Sequence, residues 1–277
     1  MEQKKICEDN LNSFQTENEN ELMVKKRYGF LPLSIWYLVK NDKLQHYISD
    51  DLGIGSYGDK TKQQLSQFNP TVAEKIIKIW SKKGDKILDH FSGRCRALIA
   101  QLLERQYTGY EISPKVYTQL MNRINKKTLT DFKSKPIVYN KDCRLMEHND
   151  EFNLIFTCPP YWDVEDYNKA YDEDVDGQLS NYNTYEYFLR EYEIVIKKCF
   201  FALKIDGFVV WVVSDIRRNK ELIPFSSDTI KIFQKCGFIM HDIIINKLNS
   251  LAVMGVGSAL NNKYTPKIHE YILVFKK

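Results

Sequence analysis

Apolar positions along the chain switch repeatedly between a helical period and short continuous runs. Val72, Ile76, Ile79 and Trp80 recur at helical spacing behind Phe68-Asn69-Pro70-Thr71, and Lys82-Lys83-Gly84-Asp85 ends the run. Lys86-Ile87-Leu88-Asp89 is a short apolar strand that leads into His90-Phe91-Ser92-Gly93. A second helix over 97–105 carries Leu98, Leu102 and Leu103, and a second strand over 107–110 ends on Glu111. Ser113-Pro114-Lys115 opens a third helix, with Ser113 as cap and proline at the first helical position. Ile137-Val138-Tyr139 is a strand with Asn140-Lys141-Asp142-Cys143 at its tip. The apolar run from Asn153 drives into Pro159-Pro160, which supply no N–H and stop the strand at Cys158. A helix over 185–203, a near-continuous apolar strand over 207–213 and a helix over 227–236 with Gly237 as its stop follow. Strands over 238–245 and 271–275 complete the series. This alternation predicts an α/β fold with a doubly wound, mainly parallel sheet. Ligands in such sheets bind beyond the strand C-termini. Asp89, Glu111, Asp142, Cys158 and Asp215 are expected there.

The flanking segments differ in character. Residues 1–24 are polar and acid-rich and predict a mobile lead-in. Residues 25–67 contain the apolar run Phe30 to Val39 and predict an extension packed on the core. Gly53-Ile54-Gly55-Ser56-Tyr57-Gly58 reads as a flexible connection, because no strand precedes it and no Lys-Ser/Thr follows. The main domain is assigned to 68–277. Two long polar connections, 163–184 and 246–267, have the length of lids or binding loops.

Composition narrows the chemistry. The chain has 277 residues, 43% hydrophobic and 27% charged, as in ordinary globular proteins. A net charge of +4 is too small for a nucleic-acid coat, so an anionic partner must meet a local patch. The six cysteines show no CxxC and no zinc-site spacing, which predicts free thiols, a cytoplasmic setting and no metal. No apolar run reaches membrane-spanning length. Glu111 follows Gly93 at near the roughly 20-residue spacing of nucleotide-binding βαβ units, where a second-strand acid accepts ribose hydroxyls. Ser113 and Pro114 already start the next helix, which frees Glu111 from capping. The rigid Pro159-Pro160 turn, followed by Tyr161 and Trp162, suits a flat, polar-edged ligand; the plainer alternative is a strand end with core aromatics.

In this order the segments resemble the amino-methylating DNA methyltransferases, which act on cytosine N4 or adenine N6, over about Phe68 to Lys277. Phe68-Asn69-Pro70 resembles the segment leading into the family's cofactor loop, and Asp89-His90-Phe91-Ser92-Gly93 resembles its Asp-Pro-Phe-x-Gly loop. Thr157-Cys158-Pro159-Pro160-Tyr161-Trp162 resembles the Asp/Asn/Ser-Pro-Pro-aromatic signature, and His269 to Phe275 the terminal strand. The resemblance implies a Rossmann-like methyltransferase fold with a seven-stranded, mainly parallel sheet and an antiparallel C-terminal strand. It implies S-adenosyl-L-methionine as cofactor, held by Phe68, Pro70, Asp89, Phe91, Ser92, Gly93, Glu111, Ile112, Asp142 and Cys143. It also implies Cys158, Pro159, Pro160 and Tyr161 as the catalytic turn, with Tyr161 and Trp162 against the base.

The chemistry stands without the name. An exocyclic amine is a poor nucleophile because its lone pair is delocalised into the ring. Acceptors that hold its N–H protons, and a fixed aim at an activated methyl, remedy this. A base in duplex DNA must first be flipped out. Two departures matter. Gly93 is followed by Arg94-Cys95-Arg96 instead of a second glycine, so the arginines either bind the cofactor's carboxylate or crowd the pocket. Cys158 replaces Asp, Asn or Ser; as a small uncharged residue it leans towards cytosine N4, with adenine N6 the alternative. Lys169, Arg217, Arg218, Lys220, Lys247, Lys263 and Lys267 are candidate phosphate contacts on DNA. With no separate recognition domain, a short target site or help from a homodimer partner is expected. The rival readings are methylation of a protein glutamine amide and a non-catalytic nucleic-acid-binding relative.

Overall fold

The computed structural model describes residues 19–28, 30–37, 68–127, 134–248, 259 and 261–277. The chain divides into two compact units, Met1–Leu33 and Ser34–Lys277. In the first, Glu19–Tyr28 forms helix α1, where the sequence predicted a mobile lead-in as far as residue 24. The rest of that lead-in, and the glycine-rich connection at 53–58, lie outside the described residues.

The second unit is built on one eight-stranded sheet. Its strands are β1 (Ile35–Tyr37), β2 (Lys86–Asp89), β3 (Gln106–Tyr110), β4 (Ile137–Tyr139), β5 (Phe152–Thr157), β6 (Leu203–Val213), β9 (Ile239–Lys247) and β10 (His269–Lys276). Their order is β1-β9-β10-β6-β5-β2-β3-β4. All neighbours are parallel except β10, which is antiparallel to both β6 and β9. The seven predicted strands are therefore present, and β1 adds an eighth at the edge, pairing Trp36 with Asn246. A small separate hairpin, β7 (Ile216–Arg218) with β8 (Glu221–Ile223), was not foreseen. Its six residues carry no periodic apolar signal.

Helices cover both faces: α2 (Pro70–Trp80), α3 (Arg96–Leu102) and α4 (Pro114–Lys127) on one side. A short α5 (Tyr167–Tyr171), the long α6 (Tyr185–Ala202) and α7 (Phe225–Lys235) complete the set. Asn69, and not Thr71, caps α2: its Oδ1 accepts the N–H groups of Thr71 at 2.9 Å and Val72 at 3.2 Å. The central strands read as continuous apolar runs because both faces are buried. Val209, Trp211, Val213, Leu273 and Phe275 pack with α6 and α7 on one face. Leu154, Phe156, Val210, Val212, Ile272 and Val274 pack with α2 and α3 on the other.

Gly109 of β3 marks where this packing is tightest. A Cβ there would collide with Ser92 Oγ and lie 2.7 Å from Tyr107 Cε1. Ser92 and Tyr107 belong to the loop and strand that support the site, so the absent side chain makes their close approach feasible. Gly109→Ala is expected to destabilise the fold by about 1–3 kcal/mol, read as a lower denaturant midpoint with an unchanged slope.

Candidate active site

The parallel strands end along one edge of the sheet, and their connecting loops enclose a cavity of about 610 Å³ there, well within the size of small-molecule sites. One half is walled by Phe68, Gly93, Glu111, Ile112, Asp142 and Cys143, the other by Cys158, Pro159, Pro160 and Tyr161. Phe91 lines it as well. Eleven of the residues singled out in the sequence thus meet around one space.

Pro70, Asp89, Ser92 and Trp162 do not reach the cavity wall, each for a physical reason. Pro70 is buried at the first turn of α2. Asp89 is fully buried, and its oxygens are engaged by its neighbours. Oδ1 accepts from the Phe91 N–H at 3.1 Å and the Thr157 hydroxyl at 2.6 Å. Oδ2 accepts from Arg96 Nε at 2.6 Å and the Tyr107 hydroxyl at 2.8 Å. Ser92 is fully buried, holding the Tyr107 hydroxyl at 3.1 Å. Trp162 has a left-handed backbone (φ 48°), and its indole N–H donates to the Tyr182 carbonyl at 2.9 Å.

Both arginines after Gly93 line the cavity, and Arg96 is held in its wall by bonds to the protein. Arg96 turns into the protein, pairs with Asp89, donates to the Phe91 carbonyl and stacks over Phe68 at 5.2 Å. Burial disfavours its charge, but the adjacent Asp89 carboxylate more than offsets this and raises its pKa. The Arg94 carbonyl accepts from Arg123.

Glu111 accepts the Gly93 N–H at 3.1 Å and the Ser113 N–H at 3.0 Å. Burial nevertheless lifts its pKa from 4.5 to about 7, outweighing both bonds. Asp142 accepts from the Arg144 N–H at 2.8 Å and from its guanidinium at 2.6 Å. Burial pushes the Cys158 thiol up to about 12, so it is neutral at physiological pH. A neutral thiol does not serve as the thiolate nucleophile of ring-carbon methylation.

The connection at 163–184 is part of the wall. Val164, Glu165, Tyr167, Tyr171 and Gln178 face the cavity. Lys115 Nζ holds the loop by the Tyr171 and Asp172 carbonyls at 2.5 and 2.6 Å, and the Lys115 N–H by Glu173 at 2.7 Å. Of the candidate phosphate contacts, Arg217, Arg218 and Lys267 line the cavity. Arg218 also pairs with Asp163 at 2.8 Å. Sequence reading passed over Glu165, Asn246 and Glu270 as wall residues. The antiparallel terminal strand was the available signal for Glu270, because such a strand begins where its neighbours end.

The chain is similar to several known proteins. The [4+2]-cyclase SpnF is similar in fold, with a TM-score of 0.51 at 13% identity over 75% of this chain and 81% of that one. A SAM-dependent methyltransferase of Methanosarcina mazei matches at 14% identity and TM-score 0.48, over 73% of this chain and 96% of that one. A protein of Thermus thermophilus, described as a candidate DNA modification methylase complexed with S-adenosyl-L-methionine, is 26% identical over 49% of this chain and 53% of that one, with TM-score 0.36. No curated protein matches the sequence significantly. The sheet order and the loop-lined cavity define a Rossmann-like methyltransferase fold. A family model for DNA methylases of the N6/N4 type matches residues 3–122 and 152–277, and the chain belongs to that family. Among the described residues no helix is long and apolar enough to cross a membrane.

Two outcomes follow from the buried charges. Arg96→Ala leaves the Asp89 carboxylate buried without its cation and is expected to cost about 3–5 kcal/mol in chemical denaturation. For Glu111, the folded pKa of about 7 lies above the ordinary 4.5, so the folded chain holds the proton more tightly. That contribution is complete below pH 4.5 and is lost as pH rises through 7. Glu111→Gln removes it, so between pH 4.5 and 8 the variant should gain on the wild type by on the order of 1–3 kcal/mol in parallel urea titrations.

Proposed function

We propose that this protein transfers the methyl group of S-adenosyl-L-methionine to the exocyclic amine of a flipped base in DNA, with cytosine N4 as the preferred target. The observation that carries this reading is that Glu111, Asp142 and the Cys158-Pro159-Pro160-Tyr161 turn wall one cavity.

The residues present fit the cofactor. Phe68, Ile112, Val116 and Leu179 offer apolar surface for a purine ring, the Glu111 carboxylate suits the paired hydroxyls of a ribose, and Asp142 suits an amino N–H. When bound, S-adenosyl-L-methionine supplies a methyl group activated by its sulfonium. The protein's share is orientation. Gly93 and Ser113 fix Glu111 through their N–H groups. Arg144 fixes Asp142 through Nη2, which also donates to the Gly177 carbonyl at 2.9 Å, while its Nη1 donates to Glu191.

On the target side, the two prolines keep the turn stiff and direct backbone carbonyls instead of N–H donors at the base. Tyr161 gives the turn an aromatic wall beside Phe225, 6.1 Å between ring centroids. The neutral Cys158 makes this an uncharged turn, which supports cytosine N4 over adenine N6. Arg217, Arg218 and Lys267 offer positive charge at the cavity for the phosphates of the extruded strand. The connections at 163–184 and 246–267 are the elements assigned to DNA contact.

DNA from cells expressing the protein, digested to nucleosides and analysed by mass spectrometry, should contain N4-methylcytosine. Pro160→Ala should lower that mark by roughly 10²-fold, because the turn loses its fixed aim. N6-methyladenine alone would reassign the base, and neither modification would refute the reading.

A further inference from the structure

The catalytic turn lacks a strong side-chain acceptor. A thiol is a weak hydrogen-bond partner, and proline residues add none. An exocyclic amine presents two N–H donors, so beyond a backbone carbonyl of the turn the site needs a side-chain acceptor from elsewhere.

The fold brings them from its last two strands. Because β10 runs against its neighbours, its first residues, not its last, lie at the edge where β5, β6 and β9 end. Glu270 and Asn246 are register partners there, and both line the cavity. Glu270 Oε1 accepts the Tyr161 hydroxyl at 3.2 Å, and that hydroxyl is 3.3 Å from Cys158 Sγ. Glu270 Oε2 accepts Asn246 Nδ2 at 3.4 Å. Asn246 is 2% exposed, and its Oδ1 is buried with no hydrogen-bond partner among the described residues. With Nδ2 facing a carboxylate, the amide cannot turn over without setting oxygen against oxygen. The wall beside the turn therefore holds a carboxylate and an orphaned carbonyl, a pairing that a donor would satisfy.

We propose that Glu270, assisted by Asn246, accepts the N–H groups of the target amine and so selects amine-bearing bases, in the role that Cys158 is chemically unsuited to fill. The inference rests on the exocyclic-amine reading above. It accounts for a carboxylate deep in the pocket of an enzyme whose turn has none. Burial raises the pKa of Glu270 from its ordinary value, while bonds from Tyr161 and Asn246 and the charge of Lys267 oppose this; Glu165 adds to the rise. A base with a carbonyl in place of the amine would put its oxygen against two acceptors and be rejected.

The test uses matched nucleosides that differ in this one group: deoxycytidine against deoxyuridine, and deoxyadenosine against deoxyinosine. Binding to the full chain is measured by saturation-transfer NMR with S-adenosyl-L-homocysteine present. Wild type should favour the amine member of one pair by about tenfold or more. Glu270→Gln, which keeps an oxygen for Tyr161 but introduces an N–H₂, should erase or invert that preference. Its thermal midpoint and S-adenosyl-L-homocysteine affinity should stay within twofold of wild type in Kd and a few degrees in Tm. Asn246→Ala should narrow the preference, and Glu270→Asp should restore part of it. A wild-type preference that survives in Glu270→Gln overturns the assignment of Glu270 alone. Equal loss of both nucleosides together with the cofactor product shows a structural role and overturns it too. A wild type with no preference in either pair defeats the exocyclic-amine reading itself.

Discussion

One buried carboxylate couples the two halves of the candidate site. Asp89 sits at the tip of β2 with no exposed surface, and it is gripped by groups from four places in the chain. Arg96 comes from α3, Tyr107 from β3, the Phe91 N–H from the glycine loop and Thr157 from the end of β5. Thr157 directly precedes Cys158-Pro159-Pro160, so the bond at 2.6 Å ties the Pro-Pro turn to the tip of β2 and the loop that follows it. A charge in the interior is tolerable only when paired and fully hydrogen-bonded, and this one is. The same demand explains the arginine after Gly93. Arg96 is the cation that the buried acid requires, and the cavity remains open beside it.

A second constraint is topological. Parallel strands converge their C-terminal tips on one edge, which is why Glu111, Asp142 and Cys158 meet although they are spread over 48 positions of sequence. The antiparallel terminal strand adds to that edge a residue from its own beginning, Glu270. Local rules alone do not locate such a residue, because its place depends on the direction in which the strand is inserted between β6 and β9.

Much of this was legible in the residues themselves. The seven core strands announced themselves as apolar runs because both sheet faces are covered, leaving no polar alternation to blur them. The Pro-Pro turn and the tip acids were legible because proline and strand ends act locally. The β7–β8 hairpin and β1 were not: Ile216–Arg218 and Glu221–Ile223 lack the apolar run that marks the equally short β4, and β1 is held by its pairing with β9. Asp89 was identified as an acid at the right tip, but its direction was not: cavity-facing and buried carboxylates look alike in a sequence. The partners that decide this, Arg96 and Tyr107, lie 7 and 18 residues away. Trp162 illustrates the same limit, because only its left-handed backbone and the Tyr182 carbonyl show which way its indole faces.

By itself, then, the sequence determined the fold class, the order of the strands along the chain and the stiff turn Cys158-Pro159-Pro160-Tyr161, all properties of periodicity and of proline's missing N–H. The tertiary structure alone decided which acids face the cavity and which are consumed in holding it. It also decided that the uncharged turn stands beside the Glu270 carboxylate. The physical reason is that hydrogen-bond satisfaction and desolvation are settled between groups brought together by strand order, over separations no local pattern spans.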